Sequence, residues 1–216
     1  MRSHADIVSR LLDPGIIAVI RTERADQVMP VCEALLAGGV SALEITLTVP
    51  DALKLIGVAS RQFGARAVVG AGSVLNAAAA REVLDAGAEY LVSPITRAEI
   101  AAVGRTAGQP VMLGAYTPSE AQTAHEAGAD FVKLFPADTL GPGYIKALRA
   151  PMPHLRIVPT GGVNLKNAGD FFAAGCAALG LGSSLLPADV IREKNWSELT
   201  RLAAEYVAIA RQSRKL

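Results

Sequence analysis

Apolar residues along this chain come in short runs, nearly all closed by glycine or a polar turn. One phrase recurs, as LLAGGVSALEIT at 35–46, LDAGAEYLVSP at 84–94, HEAGADFVKLF at 125–135 and FAAGCAALGLG at 172–182. In each copy an alanine-rich helix ends, glycine supplies the left-handed cap, and an apolar strand begins within a few residues. The repeat predicts a chain of βα units. Filling in between the copies gives eight strands, at Ile16–Arg21, Ala42–Thr46, Ala67–Gly72, Tyr90–Pro94, Val111–Tyr116, Phe131–Pro136, Arg156–Gly161 and Ala178–Ser183. Their starts are spaced by roughly 20–26 residues, the length of a compact unit. Most are near-continuous apolar runs, as in strands covered on both faces. A helix at Ser3–Leu12 precedes the first strand and is placed to plug a barrel bottom, and a last helix runs from Ser197 to about Arg211. The pattern predicts an α/β fold: a single (β/α)8 TIM barrel over 1–216 with an extra N-terminal helix. An open doubly wound sheet is disfavoured, because no irregular insertion marks a switch in winding and Gly70-Ala-Gly-Ser-Val-Leu lacks the third glycine of a dinucleotide loop.

Composition narrows the partners. Hydrophobic residues are 51% and charged residues 19%, enough apolar material for a large core. Lys plus Arg number 21 against 20 Asp plus Glu, so no basic surplus exists to neutralise a nucleic-acid backbone. No apolar run has the length of a membrane span and the N-terminus lacks a signal-peptide core, so a cytoplasmic protein with no membrane partner is expected. Cys32 and Cys176 are too few for a disulfide framework and have no zinc spacing, and are expected as buried free thiols.

Charge inside the strands is rare and therefore informative. Of six lysines only Lys133 sits within an apolar strand, Phe-Val-Lys-Leu-Phe, while Lys215 falls in the tail; of twenty acids only Glu44 does so, in Leu-Glu-Ile-Thr. A desolvated lysine favours its neutral amine, a nucleophile toward carbonyls, and a nearby carboxylate can move the protons that imine chemistry requires. The same two residues also read as a buried salt bridge. Gly161, Gly162, Gly182 and Ser183 close strands seven and eight, the usual phosphate site of this fold, although glycines there also serve as plain turn residues. Thr46, Thr48, Ser73, Thr117 and Thr160 put hydroxyls at strand tops. Arg21 ends the first strand, where it either grips a carboxylate or pairs with Glu23 at the rim. His4, His125 and His154 fall on the N-terminal helix, a helix surface and a bottom loop, and none pairs with another ligand at useful spacing, so neither a metal site nor a Ser–His nucleophile is expected.

LEITLTVPDA at 43–52, VGAGSVLN at 69–76, VSP at 92–94, VKLFPAD at 132–138, VPTGGVN at 158–164 and LGSSLLPAD at 181–189 together resemble the 2-keto-3-deoxy-6-phosphogluconate (KDPG) aldolases. These are class I, Schiff-base carbon–carbon lyases that often also act on 2-keto-4-hydroxyglutarate. The resemblance implies no cofactor, a small phosphorylated keto-acid substrate and a homotrimer. It makes Lys133 the Schiff-base lysine and Glu44 the acid/base, acting partly through water. Phe135 resembles the aromatic beside the imine, Pro94 the proline at the top of strand four, and Thr160 the contact to substrate hydroxyls. Gly161, Gly162 and Ser183 resemble the phosphate contacts, and Ser73 keeps a hydroxyl for the pyruvyl carboxylate where many members have threonine. One position departs: Thr48 stands where many members carry the arginine that binds this carboxylate. Another branch has threonine there and an arginine ending strand one, which matches Arg21. A branch acting on the galactonate epimer usually lacks the threonine before the paired glycines, so Thr160 argues for the gluconate series. The expected reaction is cleavage of KDPG to pyruvate and glyceraldehyde 3-phosphate. The galactonate epimer, an isomerase or decarboxylase on the same barrel, and a phosphate-binding barrel without turnover stand as alternatives.

Overall fold

The structure is a computed structural model that describes residues 2–214; the expected tail position of Lys215 lies outside them. Eight strands run parallel: β1 Ile16–Ile20, β2 Ala42–Thr46, β3 Val68–Gly72, β4 Leu91–Val92, β5 Val111–Ala115, β6 Phe131–Leu134, β7 Ile157–Pro159 and β8 Leu179–Leu181. Neighbours in sequence pair with each other, and β1 also pairs with β8. Between β7 and β8 a single bridge, Thr160 opposite Gly180, closes the ring. This is the expected (β/α)8 barrel. β2 has its expected bounds; the other seven strands are shorter than expected, β4, β7 and β8 most of all. Pro94 has no N–H for a ladder, so the top of β4 passes early into its loop. Ladder bonds nonetheless extend past β4, from Ala71 N–H to the Tyr90 carbonyl (3.0 Å) and from Ser93 N–H to that of Met112 (2.9 Å).

The helices α1 His4–Leu12, α2 Val28–Ala37, α3 Ala52–Phe63, α4 Ala77–Asp85, α5 Ala98–Ala107, α6 Pro118–Glu126, α7 Gly141–Arg149, α8 Ala168–Ala173, α9 Ala188–Arg192 and α10 Trp196–Ser213 complete the fold. α9 was not expected; five residues are too few to show a helical period. α10 runs slightly beyond its expected ends.

Strand alternation divides the apolar residues into two cores. Outward residues such as Ile16, Ala18, Leu43 and Ile45 pack under the helices. Inward residues at the bottom, including Ile17, Val68, Met112 and Phe131, meet Ile7, Val8 and Leu11 of α1. Ser3 caps α1 by accepting from Asp6 N–H, and His4 anchors it to Asp130 at 2.9 Å. The N-terminal helix therefore plugs the barrel bottom, as expected. Cys32 and Cys176 are buried and free, and burial pushes both thiols up to about 12. No helix among the described residues is long and apolar enough to cross a membrane.

Candidate active site

A cavity of about 880 Å³ opens at the C-terminal ends of the strands. That size suits a small ligand. Lys133, Arg21, Ser73, Pro94, Phe135, Thr160, Gly161, Gly162, Gly182 and Ser183 all line it. Two expected residues do not. Glu44 lies just beneath it, and Thr48 points elsewhere: the chain turns after β2, and the exposed Thr48 hydroxyl lies 2.8 Å from that of Thr46, whose own proton goes to the Ile20 carbonyl.

Lys133 on β6 and Glu44 on β2 both point into the barrel and are 6% and 2% exposed. Lys133 Nζ lies 3.7 Å from Glu44 Oε1 and 5.3 Å above the centre of the Phe135 ring. A direct charge-assisted hydrogen bond between them would close to about 2.8 Å. Here the gap is longer than a hydrogen bond, and Glu44 Oε1 has no hydrogen-bond partner among the described residues. A buried polar atom left unmatched in a native fold is costly, so it calls for a partner or a role.

Room for these groups comes from inward glycines. A Cβ on Gly72 would lie 2.1 Å from Glu44 Oε1, and one on Gly70 would lie 2.4 Å from the Tyr90 ring. A Cβ on Gly180 would press on Thr160 Oγ1 at 2.2 Å, and one on Gly114 on the Pro94 backbone at 2.1 Å. Any larger residue would fill the chamber that the polar side chains occupy.

The loop after β7 is built for close backbone approach. Gly161 and Gly162 have φ of 91° and 72°, and a Cβ on Gly162 would strike Asp138 Cα at 2.4 Å. Asn167 and Asn164 donate amide hydrogens to the Gly162 carbonyl at 2.9 and 3.3 Å. With that carbonyl tied back, the N–H groups of Gly162 and Ser183 remain without an internal partner among the described residues, while the Thr160–Gly180 bridge turns that of Gly161 toward the Gly180 carbonyl. Free N–H groups at a glycine loop suit a phosphate.

Ser73 follows β3 with φ of 61°, a left-handed conformation uncommon for a side-chain-bearing residue. Bonds on either side pin it there, from Leu47 N–H to the Gly72 carbonyl (2.9 Å) and from Val74 N–H to that of Val92 (3.1 Å). Arg21 follows β1 at the cavity rim and is exposed; among the described residues it forms no ion pair with Glu23. The neighbouring Arg24 is instead held by Asp26 through two bonds of 2.9 and 2.6 Å.

Some of the surroundings were not foreseen. Arg24, Asn164, Arg192 and Lys194 form an outer wall from the loops after β1, β7 and β8. The rule that barrel chemistry gathers on those loops was the available signal. Tyr90, fully buried beside Glu44, reads as an ordinary core aromatic in the sequence.

A family model for the aldolases described as KDPG and KHG aldolase matches residues 7–202. A probable 2-dehydro-3-deoxy-6-phosphogalactonate aldolase from Rhizobium meliloti is 36% identical over 200 residues, covering 90% of this chain and 94% of its own. A 2-dehydro-3-deoxy-phosphogluconate aldolase from Pseudomonas aeruginosa is 34% identical over 191 residues, covering 88% and 86%. Among solved structures, a KDPG aldolase from Legionella pneumophila, with pyruvate captured as a covalent carbinolamine, superposes with a TM-score of 0.84 at 30% identity, covering 92% of this chain and 96% of that one.

Proposed function

The chain belongs to the KDPG and KHG aldolase family of carbon–carbon lyases, and we propose that it is a class I aldolase cleaving 2-keto-3-deoxy-6-phosphogluconate to pyruvate and glyceraldehyde 3-phosphate through an imine on Lys133. The observation that carries this reading is the Lys133–Glu44 pair: buried, 3.7 Å apart, with Glu44 Oε1 lacking a hydrogen-bond partner among the described residues, and on the floor of a cavity with anion donors on its wall.

The Lys133 amine adds to the C2 ketone to give a carbinolamine, which loses water to leave an iminium. Glu44 takes the proton from the C4 hydroxyl as the C3–C4 bond breaks. The bonding pair moves into the iminium, leaving an enamine on Lys133 and releasing the aldehyde. Glu44 returns its proton to C3, and water hydrolyses the resulting iminium to pyruvate and free lysine. The N–H groups of Gly162 and Ser183, with Gly161 and Gly182 allowing close approach, hold the phosphate so that C3–C4 lies over the imine. Arg21 and Ser73 take the pyruvyl carboxylate, and Thr160 meets the substrate hydroxyls. The carbinolamine in the Legionella relative supports the covalent step. 2-Keto-4-hydroxyglutarate, split to pyruvate and glyoxylate, is a second substrate on the same chemistry. Assembly as a cytoplasmic homotrimer belongs to the same reading, and sedimentation tests the trimer.

The galactonate epimer is a second reading, favoured by the name of the Rhizobium relative. Thr160 favours the gluconate series, and kcat/KM on both C4 epimers separates them. For the reaction itself, borohydride with pyruvate should fix a pyruvyl adduct on Lys133, and Lys133→Met should lose adduct and cleavage while melting like wild type. Cleavage by a folded Lys133→Met enzyme at near wild-type rate overturns the imine.

A further inference from the structure

The barrel interior holds a second buried polar atom without a partner. The Tyr90 hydroxyl, like Glu44 Oε1, has no hydrogen-bond partner among the described residues, and the residue is 1% exposed. Strand register brings the two together. Glu44 is opposite Gly70 on one side of β3, and because Ala71 pairs with Leu91, Tyr90 is opposite Gly70 on the other. Both side chains lean over the empty glycine positions. The Tyr90 ring crosses Gly70, where a Cβ would lie 2.4 Å from its Cε1 and Cζ, which carries the hydroxyl toward β2. The Glu44 carboxyl lies one inward step higher, where a Cβ on Gly72 would lie 2.1 Å from Oε1.

We propose that Tyr90 is a positioning residue for the proton-moving carboxylate: its hydroxyl donates to Glu44 Oε1 through one buried water and holds the carboxylate toward Lys133. This inference rests on the imine reading above. A phenol in this place is suited to donate. Burial, reinforced by the charges of Glu44 and Glu89, raises its pKa well above the ordinary value, so it remains a donor. A carboxylate accepts the stronger, charge-assisted kind of hydrogen bond. Phenylalanine would fill the same space over Gly70 equally well, so packing does not require the oxygen. Lys133 approaches the carboxylate from β6 and Tyr90 from β4, which would leave the Glu44 carboxyl fixed between the group it serves and the group that aims it.

The test is Tyr90→Phe, alone and combined with Glu44→Gln, read in four ways: turnover and KM on the keto acid, borohydride trapping of pyruvate, deuterium exchange at pyruvate C3 in heavy water, and thermal unfolding. Tyr90→Phe should lower kcat by about tenfold and slow exchange equally, the loss of one charge-assisted hydrogen bond. KM, the final amount of trapped adduct and melting should change little. In the Glu44→Gln background the same substitution should add nothing. Unchanged kcat and exchange in Tyr90→Phe, or an equal loss in the Glu44→Gln background, overturns the role of Tyr90 while wild-type trapping leaves the imine intact. If wild type itself traps no pyruvate, the imine reading falls and takes this role with it. If Tyr90→Phe melts far below wild type, the hydroxyl is a packing element and the proposal fails.

Discussion

Gly72→Ala adds one methyl group to the floor of the chamber. The new carbon would lie 2.1 Å from Glu44 Oε1 and 2.8 Å from its Cγ and Cδ, where packed carbons keep about 3.4 Å or more. Rotating the carboxyl is not enough, because Cγ is also struck. The end of the side chain must therefore retreat by more than an ångström. Gly72 does not have a positive φ, so alanine fits the backbone and β3 still forms. The cost in stability is that of mild overpacking, about 1–3 kcal/mol. The cost in rate is larger: a catalytic group misplaced by about 1 Å can lose about 10²-fold. We expect kcat for pyruvate release, followed by a coupled reduction of pyruvate, to fall by about 10²-fold, with the enzyme folded and KM changed by less than about threefold. Gly143→Ala provides the control. Nothing lies within 4 Å of its added carbon, and Gly143 sits in α7, so turnover should not change and stability should rise by up to about 1 kcal/mol. A folded Gly72→Ala enzyme with turnover within threefold of wild type would refute the idea that Glu44 must stay where Gly72 lets it sit.

Two further outcomes follow from the same geometry. Arg21→Ala should weaken pyruvate binding by about 1.5–3 kcal/mol, the range for a hydrogen bond to a charged group, and leave phosphate binding unchanged, because the phosphate loops lie after β7 and β8; calorimetry with each ligand checks this, and equal weakening of both removes Arg21 from the carboxylate. At the N-terminus of α6, Glu120 accepts from Tyr116 N–H (2.9 Å) and Thr117 N–H (2.8 Å), and these bonds, with one from the Thr117 hydroxyl, hold its carboxyl below the usual value. Its folded pKa is depressed, so its stabilisation is present above the unfolded value near 4.5 and fades as pH falls through the folded one. Glu120→Gln should therefore melt lower than wild type at neutral pH, with the difference narrowing below about pH 4.5.

The repeats made the barrel legible, because each glycine-capped helix end is followed by a strand long enough to register as an apolar run. The Lys133–Glu44 pair was legible for the converse reason: a charge inside such a run has a cost, and two of them on inward positions explain each other. Tyr90 was not legible, since its ring obeys the apolar pattern and only the empty glycine beside it reveals where the oxygen goes. The turn that takes Thr48 off the cavity, and the left-handed backbone of Ser73, depend on bonds between strands that are distant in sequence. α9 is set by the loops it joins rather than by a periodic face of its own.

The seal that α1 makes across the barrel bottom fixes the traffic of the chamber. With Ile7, Val8 and Leu11 buried against the lowest inward layer, molecules enter and leave only by the mouth at the C-terminal ends of the strands. In the proposed binding mode the pyruvyl half lies deepest, covalently held on Lys133, and the phosphorylated half lies between it and the exit. The aldehyde must depart first and pyruvate second, an ordered release imposed by a blind-ended well. Pyruvate, as the last to leave, then competes with the keto acid for the free enzyme, while the aldehyde meets only an enzyme already carrying its pyruvyl group.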